Sequence, residues 1–188
     1  MNSALIVHGS TGSKDGHWLP WLKQKLEERG LQVFLPQFPI SKDEQTLNNW
    51  LNTLKSVKEQ LTDSIMIGHS MGVPFILNIM NLWDVKIKAA FLVAGFAEKH
   101  EAKGEPNMDD FSTRNFNWER IKNNCRKFYV FHSDNDPYVP LEKAQRLAKN
   151  LDVDVTLIKG AGHFSAQSGF KTFEVLLQKI DEVIESYE

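Results

Sequence analysis

Ser64-Ile65-Met66-Ile67-Gly68-His69-Ser70-Met71-Gly72-Val73-Pro74-Phe75-Ile76-Leu77-Asn78-Ile79-Met80 is the stretch that decides the fold. An apolar run of strand length meets a G-x-S-x-G pentapeptide, and an apolar stretch of helical length follows. Strand, sharp turn and helix together are the setting of a nucleophile elbow. Such a turn strains the backbone at the serine, and side chains at positions 68 and 72 would collide with neighbouring backbone, so glycine is needed at both. Ser70 Oγ is thereby expected to stand exposed above the sheet. Pro74 does not break the helix, because it falls in the first turn, where backbone N–H groups have no intrahelical partner.

Outward from the elbow, strand-like segments near 3–7, 31–35, 63–67, 87–93, 127–131 and 153–158 alternate with helical patterns near 17–29, 45–60, 71–82, 141–150 and 169–186. This alternation predicts an α/β fold with a mostly parallel, doubly wound sheet of about six strands. The strands are β-branched and apolar without clean alternation, as required when helices cover both faces. Phe170, Phe173, Leu176, Leu177, Ile180 and Ile184 recur at helical steps and give the last helix one apolar face. Trp18 and Trp21 lie on the apolar face of the first. The stretch 96–110 is polar, non-periodic and long for a connection, a kind of segment that is commonly functional or disordered. It predicts a short lid-like connection over 96–118 and leaves no room for a full cap domain. Phe116 and Trp118 at its end, with Phe164, are candidate walls of an apolar substrate pocket.

A serine hydroxyl becomes a useful nucleophile when a base takes its proton and a carboxylate orients that base. Both partners are available downstream. Phe128-Tyr129-Val130-Phe131 leads into His132-Ser133-Asp134-Asn135-Asp136-Pro137-Tyr138-Val139-Pro140, and Val153-Asp154-Val155-Thr156-Leu157-Ile158 leads into Gly160-Ala161-Gly162-His163-Phe164. His163 is the candidate base, in a loop that flanking glycines leave free to swing. Asp136 is favoured over Asp134 as the acid, since it precedes Pro137 and stands at the right distance from Val139-Pro140. Asp134 suits backbone N–H bonds within the loop. The remaining histidines, His8, His17, His69, His100 and His132, read as packed or surface side chains. None forms a zinc-type pair with a third ligand nearby, so no metal and no cofactor is expected.

Ser3-Ala4-Leu5-Ile6-Val7 reads as the first strand and His8-Gly9-Ser10-Thr11-Gly12 as the loop after it. An acyl-transfer enzyme needs preorganised N–H groups for the oxyanion, and those of Met71 and Ser10 are the candidates. The same loop is rich in glycine and serine, yet Gly9-Ser10-Thr11-Gly12-Ser13-Lys14 lacks both P-loop spacing and the third glycine of a dinucleotide fingerprint.

With 188 residues, 41% of them hydrophobic, the chain is expected to form a single domain over 1–188 with one substantial core. A formal net charge of −2 from interspersed residues gives no steering toward nucleic acid or an anionic membrane. Apolar runs such as Ala89-Ala90-Phe91-Leu92-Val93-Ala94 are far below the ~20 residues of a membrane-spanning helix, so no membrane insertion is expected. The amino terminus enters a strand at once, without a signal-peptide pattern. The single cysteine, Cys125, reads as a packed thiol just before a strand, and the expected location is cytoplasmic.

The chain resembles the small serine hydrolases typified by retinoblastoma-binding protein 9 and bacterial YdeN-like proteins. Beyond the elbow, the resemblance is carried by His17-Trp18-Leu19-Pro20-Trp21-Leu22, Asn49-Trp50-Leu51, Phe111-Ser112 with Asn117-Trp118-Glu119-Arg120-Ile121-Lys122, the segment Asp134 to Pro140, and Gly162-His163-Phe164. It implies a minimal α/β-hydrolase fold with a catalytic triad that maps to Ser70, Asp136 and His163. The resulting expectation is a carboxylesterase-like serine hydrolase acting on a small-molecule acyl substrate by way of an acyl-Ser70 intermediate, with thioester and amide as related substrates. The alternatives are a protein-interaction module on a hydrolase fold, which would bring a protein partner, and a lyase-type reuse of the triad.

Overall fold

The computed structural model describes residues 3–99, 109–112 and 115–187. Its strands are β1 (Ser3–Val7), β2 (Gln32–Phe34), β3 (Ile65–His69), β4 (Ile87–Val93), β5 (Cys125–Ser133) and β6 (Val155–Ile158), in the sheet order β2-β1-β3-β4-β5-β6. Every ladder is parallel. Side chains alternate across a strand, and the two faces are sorted accordingly. Leu5, Val7, Met66, Ala90, Leu92 and Val130 pack under α2 (Leu47–Thr53), α3 (Gly72–Leu82), α5 (Trp118–Asn124) and α6 (Leu141–Asn150). Ala4, Ile6, Ile65, Ile67, Ala89, Phe91 and Phe131 pack under α1 (Leu19–Glu27) and α7 (Glu174–Glu185). This is the doubly wound parallel sheet that the alternation predicts.

Chain order reverses direction in the sheet between β1 and β3, and ligands of open α/β sheets bind outside the carboxyl ends of strands at such a switch point. The loops after β1 and β3, carrying Ser10 and Ser70, both open there.

Some elements differ from the sequence reading. The helical pattern over 45–60 divides into α2 and a 3₁₀ segment, Lys55–Leu61, with Leu54 at the junction. Cys125 opens β5 instead of preceding it. The final helix starts at Glu174, because Gly169 has φ 90° and ends a short 3₁₀ turn. Phe170 therefore reaches the core from the loop, its ring 5.1 Å from that of Phe173. Between β4 and β5 stand the short α4 (Asp109–Ser112) and α5, which periodicity did not announce. The expected lid-like connection over 96–118 includes 100–108 and 113–114, which lie outside the described residues. Among the described residues, no helix is long and apolar enough to cross a membrane.

Candidate active site

The elbow is built from close approach. Ser70 has φ 55°, a left-handed conformation that a residue with a Cβ adopts at a cost. Its N–H still donates to Val93 O at 2.9 Å, so the strained residue is tied to β4. A Cβ at Gly72 would lie 2.5 Å from Val7 O, and one at Gly68 would lie 2.8 Å from the Gly72 carbonyl. Glycine at both positions lets α3 start directly against β1. Met71 sits at the N-cap of α3, whose first N–H groups lack intrahelical partners and lie at the positive end of the helix dipole.

The loop after β1 leans on Ser70. A Cβ at Gly9 would lie 3.1 Å from Ser70 Cβ and 3.6 Å from its Oγ. His8 fixes this loop. Its Nε2 accepts from the Phe38 N–H at 3.0 Å, so the proton sits on Nδ1, which donates to Gly9 O at 2.7 Å. Gly12 N also donates to that carbonyl, at 3.2 Å. In a planar trans peptide the next N–H points opposite to the carbonyl, so anchoring Gly9 O fixes the direction of the Ser10 N–H. Burial lowers the His8 pKa, only partly offset by the bond to Gly9, which favours the neutral form this geometry needs.

His163 comes from beyond β6, three strands away from β3 and so about 14 Å across the sheet at about 4.8 Å per strand. Two bonds from the acid loop hold its loop in place: Gly160 N to Asp134 Oδ1 at 2.8 Å and Gly162 N to Asn135 Oδ1 at 2.7 Å. Asp134 thus serves the histidine loop and not its own. Gly162 has φ 54°, and a Cβ there would also meet Ser168 Oγ at 2.5 Å. From the other side, Trp18 Nε1 donates to Phe164 O at 3.0 Å, and Ala166 N donates to His17 Nδ1 at 3.0 Å. His69 Nε2 donates to the His163 carbonyl at 2.8 Å, so the residue beside Ser70 holds the backbone of His163.

His163 Nδ1 lies 2.7 Å from Asp136 Oδ2. The other oxygen, Oδ1, accepts the N–H groups of Tyr138 at 2.9 Å and Val139 at 3.0 Å, and the Asp136 side chain is only 1% exposed. His132, fully buried, packs behind the acid with Nε2 4.0 Å from Oδ2, but donates to Val139 O at 2.9 Å. Burial lowers its pKa, and its Nδ1 finds no partner among the described residues. His69 is held well below the usual histidine value, first by burial and then by the charge of His163; His17 is lowered for the same two reasons. Both shifts favour the neutral imidazole, and the acid facing His163 is Asp136.

The three candidate pocket residues are placed elsewhere. Phe164 is fully buried, stacked on Phe173 at 5.2 Å within the core under α1 and α7. Phe116 and Trp118 line a side groove of about 650 Å³ with Glu98, Arg146 and Lys149. The backbone N–H of the intervening Asn117 donates to Oδ1 of Asn81, which stands nine residues along α3 from Gly72 and so roughly 13 Å from the elbow. Loop aromatics carry no sequence signal for which end of a helix they return to. Sequence reasoning also passed over His8, His69 and Asn135 as residues that fix the loops. Their side chains read as ordinary packing until their backbone partners are known.

A family model described as serine hydrolase matches residues 4–182. YdeN of Bacillus subtilis (strain 168) is 28% identical over 188 residues, covering 97% of this chain and 94% of that protein. The serine hydrolase RBBP9 of Rattus norvegicus is 29% identical over 166 residues, covering 86% of each. The crystal structure of the B. subtilis ydeN gene product superposes with a TM-score of 0.90 at 26% identity, over 98% of this chain and all 100% of the other. Est1E from Butyrivibrio proteoclasticus, at a TM-score of 0.67 and 20% identity over 96% of this chain and 88% of its own, shares the fold.

Proposed function

The chain belongs to the serine hydrolase family, and from that premise we propose that it cleaves a carboxylic ester through an acyl-Ser70 intermediate. Ser70 is the nucleophile, His163 the general base and then general acid, and Asp136 the partner that orients it. Ser70 Oγ attacks the acyl carbon while His163 Nε2 takes its proton. The imidazolium so formed faces Asp136, and the negative oxygen of the tetrahedral intermediate lies against the Met71 and Ser10 N–H groups. Collapse breaks the bond to the leaving oxygen, which receives the proton from His163. Water then repeats the sequence on the acyl-enzyme and restores Ser70. Thioesters and amides would follow the same path.

The observation that carries this reading is the 2.7 Å contact between His163 Nδ1 and an Asp136 carboxylate that is 1% exposed and holds two backbone N–H groups. A buried carboxylate in that position fixes the tautomer that leaves Nε2 to act. The anchored Gly9 carbonyl supports the role of Ser10. Acyl selectivity is proposed to rest on the surface immediately beside Ser70 and not on Phe164, which is fully buried in the core. Each buried methylene contributes about 0.8 kcal/mol, so kcat/KM for p-nitrophenyl esters is expected to level off by roughly four to six acyl carbons. Cys125, whose buried thiol has its pKa pushed up to about 12, is an inert packed group and fits a reducing, cytoplasmic setting.

The test is turnover of p-nitrophenyl acetate by the wild-type chain and by Ser70→Ala. Loss of turnover in the variant with unchanged circular dichroism is expected. Equal turnover by both would remove Ser70 from the mechanism.

A further inference from the structure

Among the described residues, the His163 ring has two aromatic neighbours of opposite character. His69, with ring centroid 4.9 Å away, is 3% exposed; Tyr138, with centroid 5.1 Å away and ring planes at 76°, is 61% exposed. Tyr138 has the largest exposed fraction among the large hydrophobic side chains of the described residues. It is also held firmly. Its N–H is bound to Asp136 Oδ1 at 2.9 Å, the residue before it is Pro137, and the next, Val139, is 1% exposed. A Tyr side chain on a fixed backbone offers a large, flat, amphipathic surface with little conformational entropy to lose on contact.

Its place relative to the chemistry says which part of a substrate it meets. His163 hands its proton to the leaving oxygen, so that oxygen must come within hydrogen-bond reach of the imidazole. The substituent on the oxygen then lies beside the imidazole on its solvent side, where the exposed neighbour is Tyr138. We infer that Tyr138 is a leaving-group contact and that the enzyme favours esters of flat aromatic alcohols over esters of small alkyl alcohols. The inference rests on the serine-hydrolase reading above. Acylation joins the acyl carbon to Ser70 Oγ and breaks its bond to the aryl oxygen. The proton from Ser70 passes through His163 to that oxygen, and the free arenol departs across the Tyr138 face. Hydrolysis of the acyl-enzyme proceeds without the arenol.

The experiment compares 2-naphthyl acetate with ethyl acetate, two esters that form the same acetyl-enzyme, in the wild-type chain, Tyr138→Ala and Tyr138→Phe. The readout is the ratio of kcat/KM for the naphthyl ester over the ethyl ester, which cancels any general damage to the site. Tyr138→Ala should lower this ratio about fivefold, the size of one aromatic pair contact, and Tyr138→Phe should keep it within twofold. A fluorophosphonate, whose leaving group is fluoride, should still label Ser70 in Tyr138→Ala, reporting an assembled site in the variant. An unchanged ratio in Tyr138→Ala overturns the inference. So does a ratio that falls equally in Tyr138→Phe, or a Tyr138→Ala loss shared equally by both esters, which would make the ring a shield for His163. Absence of labelling in the wild-type chain would instead defeat the underlying hydrolase reading.

Discussion

Ser70 occupies a left-handed backbone position, φ 55°, and alanine there carries the same Cβ and the same strain. Ser70→Ala should therefore leave the thermal midpoint within a few degrees of wild type while removing one oxygen and all ester turnover; differential scanning fluorimetry beside the esterase assay checks both. The two loop aspartates should separate by role. Asp136 bonds His163 directly, whereas Asp134 bonds the Gly160 N–H. Asp136→Asn should lower kcat by roughly 10³- to 10⁴-fold by favouring the wrong imidazole tautomer, and Asp134→Asn should cost far less. Reversed sensitivities in steady-state kinetics would move the acid to Asp134. His8 acts one step further out, through the Gly9 carbonyl. His8→Leu should lower kcat by roughly tenfold with little change in KM, less than the ~10²- to 10³-fold loss of a donor itself, since it loosens a donor without deleting one. A loss confined to KM would argue that His8 serves substrate binding.

At the scale of elements, α3 meets β1 with no space between them at Gly72. Gly72→Ala would put a Cβ 2.5 Å from Val7 O, a backbone atom that cannot turn aside, and should destabilise the fold by about 1–3 kcal/mol in urea titrations. A midpoint equal to wild type would mean that the elbow has slack. The elbow and the six strands were legible in the sequence because local chemistry dictates them: glycines where backbones touch, and β-branched apolar runs where helices cover both faces. His163 and Asp136 were legible as candidates because each follows a strand in the right order. The loops were less so. Phe116 and Trp118 look alike whether a chain returns near the elbow or far down α3, and the deciding bond, Asn81 to Asn117 N, joins residues far apart in the chain. The helix break at Leu54 and the late start of α7 also escaped periodicity. Leu47, Trp50, Leu54 and Leu61 are all buried, so the apolar pattern runs on while the winding changes.

Over the whole molecule, four histidines that pack around the site, His8, His17, His69 and His132, all have lowered pKa values, with burial as the leading cause in each. The unfolded chain protonates them near the reference value of about 6.5, and the folded chain resists. Their contribution to stability is therefore complete above that pH and falls as the pH drops below it, by about 1.4 kcal/mol per pH unit for each of the buried His8, His69 and His132 that stays neutral, and by less for the half-buried His17, which solvent screens. Urea unfolding at pH 7.5 and at pH 5.5 should show a marked loss at the lower pH, and equal stabilities would contradict the burial argument. Among the described residues, these histidines leave His163 facing the buried Asp136 carboxylate, which is the arrangement that the proposed chemistry requires. The most direct test of that chemistry is intact-mass analysis with peptide mapping after brief exposure to a fluorophosphonate. The account predicts one adduct per chain, located on Ser70, absent in Ser70→Ala and formed much more slowly in His163→Ala. An adduct on another residue, or none under conditions where the chain is folded, would contradict it.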